Sequence, residues 1–330
     1  MTHWQRILNV WMVLKHSVVI VSFLSVLFWG MIYPSALLAA TDKTPTFIVV
    51  THGQANDPFW LRVKNGVEHA AATLNVKAIY RAPEQFDMVA MSQLIEAAIQ
   101  QEPDGLVISI PDSEALGDVI RKAISAGIPV ASINSGEDVS RALGTLFHVG
   151  SDEFKAGVMA GEALKARGVT NPVCVNHEVG NVSLDRRCAG VNEGFGQTVK
   201  VIPSTANSVE AVYAAVKAAL QADSTIDAVI ALGATTVAEP TLKVMDELGR
   251  SSIALVTFDL SPAILEAIDA GRVAFAIDQQ QYLQGYLPIM HLNLYHHYRL
   301  VPPWNLPSGP GLVEKSDAPE VIKLSSDAIR

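Results

Sequence analysis

The chain has 330 residues with a formal net charge of −9 at pH 7, and 49% of its residues are hydrophobic against 17% charged. This length exceeds what one small core usually holds and predicts two domains, while the hydrophobic content excludes a disordered chain. The acidic balance is opposite to what a phosphate backbone requires of its partner, so we expect no nucleic-acid binding.

The first 40 residues have the pattern of a secretory signal peptide. Arg6 and Lys15 precede an uncharged, largely apolar stretch that ends in small residues at Ala39 and Ala40. This order of charged, apolar and small residues predicts a cleavable signal over residues 1–40 and a protein exported to the periplasm. The alternative is an uncleaved anchor, because about 20 apolar residues can span a bilayer.

Eight short apolar runs alternate with helical patterns along the rest of the chain. The runs occupy residues 46–51, 76–81, 104–109, 128–133, 172–176, 200–204, 227–231 and 252–257. Within each set of four, one amphipathic helix fits between successive runs, and this strand–helix–strand unit builds parallel sheets. The sequence therefore predicts an α/β fold with two doubly wound parallel-sheet lobes, whose ligand would lie at the carboxyl ends of the strands.

Two connecting segments differ from these units. Residues 146–151 form a short join, followed at once by a helix predicted over 152–165. Residues 302–311 contain four prolines, which predicts a rigid connection without regular structure. A short helix is predicted over 318–326.

Cys174 and Cys188 are the two cysteines of the chain. In an exported protein this number permits one disulfide, which we predict, and the alternative is two buried free thiols. Zinc binding is not expected, because two isolated cysteines lack the paired spacing of zinc ligands.

Sequence signatures of catalysis are absent. The chain has no GxSxG, HExxH, Walker A or GxGxxG motif. His291, His296 and His297 lie in an aromatic helical pattern without a carboxylate cluster that would complete a metal site. We therefore expect no enzyme, no cofactor and no metal.

Polar and aromatic residues follow the predicted strands. Pro58 begins a helix after the first strand, with Asp57 at its N-cap and with Phe59 and Trp60 directly behind. A helix that begins at the carboxyl edge of the sheet has its first turn beside the expected ligand site. Aromatic faces flanked by polar groups suit the apolar face of a sugar.

Several motifs occur in the order and spacing of the ribose-type periplasmic binding proteins. They are Asp57-Pro58-Phe59-Trp60, residues 103–108, 127–130 and 149–152, Arg187-x-x-Gly190-Val191, and residues 257–259 and 277–279. The chain resembles this family over residues 45–330. The resemblance implies a type I periplasmic binding protein, a monomer that closes on a monosaccharide or polyol and delivers it to an ABC permease in the inner membrane.

The resemblance also implies a hinge of three strands, near residues 150–151, 279–280 and 308–309. The N-terminal lobe would then comprise 45–150 plus 280–308, and the C-terminal lobe 151–279 plus 309–330. The ligand contacts carried over from the family are Asp57, Phe59, Trp60, Asn134, Arg187, Phe258, Asp259 and Gln279.

Arg187 is expected to be the strongest contact of the second lobe, because a guanidinium offers five fixed donors to adjacent hydroxyls. The alternative is that it pairs with Asp185, Glu193 or Glu178 and stabilises the loop alone. In the binding role, Arg187→Ala should lose affinity with little change in melting temperature.

Three departures from the family limit the prediction of the ligand. Asn134-Ser135 stands where the ribose binders carry Asp-Arg, and Gly233-Ala234 stands where they carry Asn-Asp. Ile110 replaces an Asn before Pro111. These changes remove directional contacts to hydroxyls. Ribose is therefore not the first expectation, and another pentose, a hexose or a linear polyol fits equally well.

Other functions remain open at this stage. An exported sensing module for a chemoreceptor or histidine kinase would have the same lobes. A transcription regulator of similar fold is disfavoured, because a signal peptide occupies the place of its basic helix-turn-helix. An isomerase or epimerase would rest on Asp57, Arg187 and Asp259 sharing a cleft.

Overall fold

The computed structural model describes residues 43–53, 57–204, 208–325 and 329. The predicted signal peptide lies outside the described residues. In the part of the chain that is described, no helix combines the length and apolar character needed to cross a membrane.

Strands and helices alternate along almost the whole described chain. The strands are β1 (Thr46–Val50), β2 (Lys77–Arg81), β3 (Gly105–Ser109), β4 (Val130–Ile133), β5 (His148–Ser151), β6 (Pro172–Asn176), β7 (Lys200–Pro203), β8 (Ala228–Ala231), β9 (Ala254–Phe258), β10 (Phe275–Asp278), β11 (Asn305–Gly309) and β12 (Gly311–Val313). The helices are α1 (Pro58–Leu74), α2 (Met88–Ile99), α3 (Ser113–Ser125), α4 (Glu137–Leu143), α5 (Glu153–Ala166), α6 (Val182–Phe195), α7 (Val209–Ala222), α8 (Glu239–Glu247), α9 (Pro262–Asp269), α10 (Gln281–Tyr298) and α11 (Ala318–Ser325). A π-helical turn, Ala234–Ala238, precedes α8.

The strands form two six-stranded sheets with the orders β11-β5-β4-β3-β1-β2 and β12-β10-β9-β8-β6-β7. Every pairing is parallel except that of β10 with β12. The predicted α/β class is therefore confirmed. All eight predicted strands form, with bounds within two residues of those expected.

Alternation along each strand places side chains on both faces of its sheet. In β1, Ile48 and Val50 pack with residues of α2 and α3, whereas Phe47 and Val49 pack with residues of α1 and α10. All four side chains are fully buried. Strands covered on both faces read as continuous apolar runs, which explains why the sequence predicted them well.

The chain passes between the two sheets at three places. The first passage joins β5 of one sheet to α5, which packs on the other. The second joins β10 to α10, and the third joins β11 to β12. Each sheet is therefore assembled from separated segments of the chain.

The sequence predicted no regular structure in the proline-rich connection, and this prediction is wrong. β11 lies within the connection, and β12 begins at its last residue. Pro307 lies within β11, at the edge of the first sheet, where β11 pairs only with β5 and the register shifts after Pro307. Proline is tolerated on an edge strand because its missing N–H need not face a second neighbour.

Glycines bring two pairs of helices into backbone contact. A Cβ at Gly190 of α6 would lie 2.1 Å from the carbonyl oxygen of Phe154 in α5. Similarly, a Cβ at Gly285 of α10 would lie 1.9 Å from the carbonyl oxygen of Val63 in α1. In each pair, one helix follows a passage between the sheets and the other begins at the carboxyl edge of its sheet.

A disulfide joins Cys174 in β6 to Cys188 in α6. Both cysteines are buried in the core between the second sheet and its covering helices. The bond attaches the middle of α6 to the strand that precedes it.

Candidate ligand-binding site

A cavity of about 540 Å³, partly open to solvent, lies between the carboxyl edges of the two sheets. Its polar and aromatic lining comprises His52, Asp57, Phe59, Trp60, Asn134, His177, Glu178, Asn181, Arg187, Thr235, Thr236, Asp259 and Gln279. Pro58, Leu184, Leu232, Gly233, Ala234 and Leu260 complete it.

The structure brings seven of the eight residues carried over from the family to this cavity. Phe258 is the exception, since it is fully buried in the core of the second lobe and does not line the cavity. Its ring centroid lies 4.7 Å from the guanidinium carbon of Arg187. Phe258 therefore supports a cavity residue from behind.

The first turn of α1 forms an aromatic wall. The Asp57 carboxylate accepts a hydrogen bond from the Phe59 N–H at 2.8 Å and so caps the helix. Trp60 is 5% exposed and meets the rings of His52 and Phe59 edge-to-face, at centroid distances of 4.8 and 4.9 Å. These contacts restrict the indole and present an apolar surface to the cavity.

Arg187 is almost completely buried and is held by two neighbours. Its Nε and Nη2 donate to the two carboxylate oxygens of Glu153 at 2.6 and 3.1 Å, and its Nη1 donates to the Leu232 carbonyl at 3.0 Å. Glu153 is not among the acidic partners expected from the sequence. Three of the five N–H groups donate to these two residues, and the other two are not used by them.

Asp259 and Gln279 form a second polar group. Gln279 Nε2 donates to Asp259 Oδ1 at 2.6 Å, and Gln281 Nε2 donates to the same oxygen at 3.3 Å. Gln279 Oε1 is buried and has no hydrogen-bond partner among the described residues. Burial raises the pKa of Asp259 to about 7, against the opposing effects of the Arg187 charge and the Gln279 hydrogen bond.

Asn134 follows β4 with a left-handed backbone, at φ 60°. Its Nδ2 donates to Gln284 Oε1 at 3.2 Å, and its Oδ1 accepts from Ser135 Oγ at 3.0 Å. These bonds fix the amide at the cavity wall.

The predicted set omitted two histidines that line the cavity. His52 Nδ1 lies 2.8 Å from Ser109 Oγ, and burial, together with the charges of Arg187 and His177, lowers the pKa of His52 to about 3. Burial and the Arg187 charge lower the pKa of His177 to about 3 as well. Both rings are therefore neutral at pH 7. A neutral imidazole has one donor and one acceptor nitrogen, which suits a hydroxyl ligand.

A signal for both histidines was present in the sequence, because they follow β1 and β6 at the same sheet edge as the predicted residues. The structure also gives a reason for glycine at position 233. A Cβ at Gly233 would lie 3.1 Å from the His177 ring, so glycine here leaves room for the imidazole.

The two lobes contact each other directly beside the cavity. Ser135 Oγ, from the first lobe, donates to Asn181 Oδ1 at 3.3 Å. The Val182 N–H at the start of α6 donates to the Pro111 carbonyl at 3.1 Å. These bonds hold the two lobes in contact beside the cavity, to which both lobes contribute side chains.

No group of three or more His, Cys, Asp or Glu side chains that could hold a metal occurs among the described residues. The cavity combines an aromatic wall with hydrogen-bonding groups from two facing lobes. Fold and site together define a protein that encloses a small polar molecule between two α/β lobes.

Residues 47–295 match the family model of the periplasmic binding protein domain, and the chain belongs to this family. A carbohydrate transporter from Acidothermus cellulolyticus 11B, in complex with myo-inositol, is 32% identical with a TM-score of 0.83. That match covers 87% of this chain and all of that one.

Two further relatives are also sugar-binding proteins by name. The xylose/arabinose-binding protein of Sulfolobus acidocaldarius is 25% identical over 310 residues, covering 86% of this chain and 75% of that protein. The D-ribose/D-allose-binding protein of Pseudomonas aeruginosa is 28% identical over 265 residues, covering 74% and 80% respectively.

Proposed function

We propose that the chain is a periplasmic solute-binding protein that captures a sugar or polyol between its lobes and delivers it to an ABC permease for import. The names of its relatives support this function, since they are binding proteins for pentoses and hexoses and a carbohydrate transporter holding myo-inositol. They support delivery to a permease over the alternative of a sensing module.

One observation carries the proposal: groups from both lobes that suit hydroxyls meet an aromatic wall in one cavity. Arg187 has two N–H donors left, and Gln279 Oε1 is an acceptor without a partner among the described residues. The neutral ring of His177 has an Nδ1 atom that is also without a partner among these residues. The Arg187 charge is balanced by Glu153. The ligand is therefore a neutral polyhydroxylated ring or chain of monosaccharide size.

The lobes move as the units expected from the sequence, residues 45–150 plus 280–308 and residues 151–279 plus 309–330. The three passages of the chain between the sheets support this division. The protein works as a monomer in the periplasm, after removal of a signal peptide over residues 1–40. It delivers to a permease in the inner membrane.

The protein binds its ligand without changing it and uses no cofactor or metal. The carboxylates that an isomerase would need have structural partners, since Asp57 caps α1 and Asp259 accepts from Gln279 and Gln281. Unaltered ligand recovered from the protein would agree with this role. A converted product would contradict it.

Mass spectrometry of the ligand that co-purifies with the exported protein tests the proposal directly. Isothermal calorimetry then measures affinity for D-xylose, D-allose, alditols and myo-inositol, with a panel of amino acids as the control. We expect one-to-one binding of a sugar or polyol near 1 μM, which corresponds to about −8 kcal/mol. Binding of an amino acid, with no sugar or polyol bound, would refute the proposed function.

A further inference from the structure

The first turn of α5 contains a buried carboxylate that does not line the cavity. Glu153 is 3% exposed and lies two residues after Ser151, where β5 ends and the chain passes to the second lobe. Asp152, the intervening residue, caps the helix by accepting from the Lys155 N–H. Glu153 is therefore anchored at one of the passages between the lobes.

Glu153 holds the guanidinium of Arg187 in one plane. The two carboxylate oxygens accept from Nε and Nη2, which is a bidentate geometry that fixes orientation as well as distance. The Phe258 ring supports the guanidinium, and the Leu232 carbonyl accepts from Nη1. Each Nη is left with one N–H group that these contacts do not use.

The helices that carry the two residues cannot easily shift apart or together. A Cβ at Gly157 of α5 would lie 2.1 Å from the Arg187 carbonyl oxygen, so the backbones of α5 and α6 touch at this level. At Gly161 and Gly194, further along the same pair of helices, a Cβ would lie 2.5 and 2.1 Å from a carbonyl oxygen of the facing helix. The distance between Glu153 and Arg187 is thus set by backbone packing.

Stability alone does not account for this buried pair. The cost of removing two charges from water offsets most of their attraction, and well-packed apolar residues of similar size often stabilise a core as well or better. An apolar pair could not leave two oriented donors at the cavity.

We propose that Glu153 is a positioning residue for ligand binding, which acts through Arg187 by holding its two remaining N–H groups toward the ligand. The inference rests on the proposed binding function and adds to it a residue outside the cavity that sets affinity.

Calorimetry with D-xylose, D-allose and myo-inositol tests the inference on the wild type, Glu153→Gln, Glu153→Asp, Arg187→Ala and the Glu153→Gln/Arg187→Ala double variant. We expect each Glu153 variant to bind at least tenfold more weakly than the wild type. The double variant should bind within twofold of Arg187→Ala, because Glu153 has no effect once Arg187 is absent. Asp246→Asn is the control, since it removes the exposed Asp246–Arg272 pair of the same lobe and should leave affinity unchanged.

Affinity within twofold of the wild type in either Glu153 variant would overturn the inference. A double variant whose fold-loss of affinity equals the product of the losses in the two single variants would overturn it as well. A wild type that binds no sugar or polyol would instead overturn the proposed function, and this inference with it. If the variants do not fold, arginine-¹⁵N NMR of the wild type tests the inference through the exchange rate of the Arg187 Nε–H proton. A slowly exchanging Arg187 Nε–H without ligand supports the inference, and an averaged signal refutes it.

Discussion

Arg187 and Glu153 are each about 3% exposed, so removing either partner leaves a charge buried without compensation. We therefore expect Arg187→Ala to reduce the free energy of unfolding by about 3–5 kcal/mol in addition to its loss of affinity. This differs from the small melting change that the sequence alone predicted, because Glu153 was not a foreseen partner. Urea denaturation measures the effect.

The matched control is Arg272→Ala, which removes the exposed Arg272–Asp246 pair of the same lobe. An exposed pair contributes about 1 kcal/mol or less. Equal losses in the two variants would contradict a buried, tightly held pair at Arg187.

Three buried histidines make stability depend on pH. Burial lowers the pKa of His52, His148 and His177 to about 3, whereas their unfolded values are about 6.5. The unfolded chain therefore binds protons that the folded protein does not, so stability falls as pH decreases from 6.5 toward 3. Burial also raises the pKa of Asp57, Glu137 and Asp259, and these carboxyl groups act in the opposite direction. Of the three, only Asp259, with a pKa of about 7, has a shift comparable to those of the histidines.

Calorimetric melting at pH 7.5, 5.5 and 4.5 should show this decrease in melting temperature. His148→Gln should reduce the pH dependence without altering the cavity, since His148 lies in β5 and bonds Ser132. A melting temperature that is constant over this range, or an equal slope in the variant, would refute the assignment.

Seven cavity residues were predicted from the family resemblance. Asn134, Asp259 and Gln279 directly follow strands, at the edge that the carboxyl ends of parallel strands share. Asp57, Phe59, Trp60 and Arg187 lie further along, in the loop after a strand or in the first two turns of the next helix. The partner of Arg187 was not predictable, because Glu153 is 34 residues away in sequence and meets it only through helix packing. Phe258 was misplaced for a related reason. It is the last residue of β9, and the alternation of that strand turns its side chain into the core.

The helices α5 and α6 pack so closely that no side chain fits at the glycines between them. Gly190→Ala should therefore force the helices apart and cost about 1–3 kcal/mol of stability or more. Because α6 carries Arg187 and Asn181, affinity for the sugar should fall as well. Thermal unfolding and calorimetry measure the two effects.

Gly117→Ala in α3 is the control for this substitution. A Cβ there would meet the flexible end of Arg121 at 3.3 Å and Leu143 Cδ2 at 3.5 Å, which is ordinary van der Waals contact, so the variant should be neutral or more stable by up to about 1 kcal/mol. If Gly190→Ala were also neutral, the close approach of α5 and α6 would not be required.

The disulfide provides a second prediction for α6. Cys174 and Cys188 are 14 residues apart, and closing a loop of about this length contributes about 3 kcal/mol in the chain-entropy model. The Cys174→Ala/Cys188→Ala variant should lose about this much stability in urea denaturation. The wild type in reducing agent should lose a similar amount, and losses below about 1 kcal/mol in both cases would contradict the prediction.

Sequence patterns predicted eight of the twelve described strands and missed β5, β10, β11 and β12. β5 lies in residues 146–151, which the sequence indicated as a short join. β11 contains Pro307, and β12 has only three residues, so neither shows an apolar run. These edge strands are specified by the strands they pair with, β5 and β10, which are distant in sequence.

For the whole molecule, we expect the ligand to convert an open form into the closed arrangement. Trp60 on one lobe and Asp259 on the other line the same cavity, so a ligand contacts both only when the lobes meet. Small-angle scattering should show a smaller radius of gyration with saturating sugar than without. Arg186 and Asp138 form a salt bridge between the lobes, so Asp138→Asn should bind sugar more weakly while closing to the same radius. An unchanged radius in the wild type would contradict hinge closure.

The three passages of the chain between the sheets also constrain the order of assembly during biosynthesis. The first sheet lacks its edge strand until residue 309 has been made, and its covering helix α10 begins only at Gln281. A nascent chain that ends before these segments exposes the parts of β3, β4 and β5 that α10 covers and one unpaired edge of β5. Neither sheet can be completed before residues 305–313 have been made, so each lobe finishes folding only after most of the other lobe has also been synthesised.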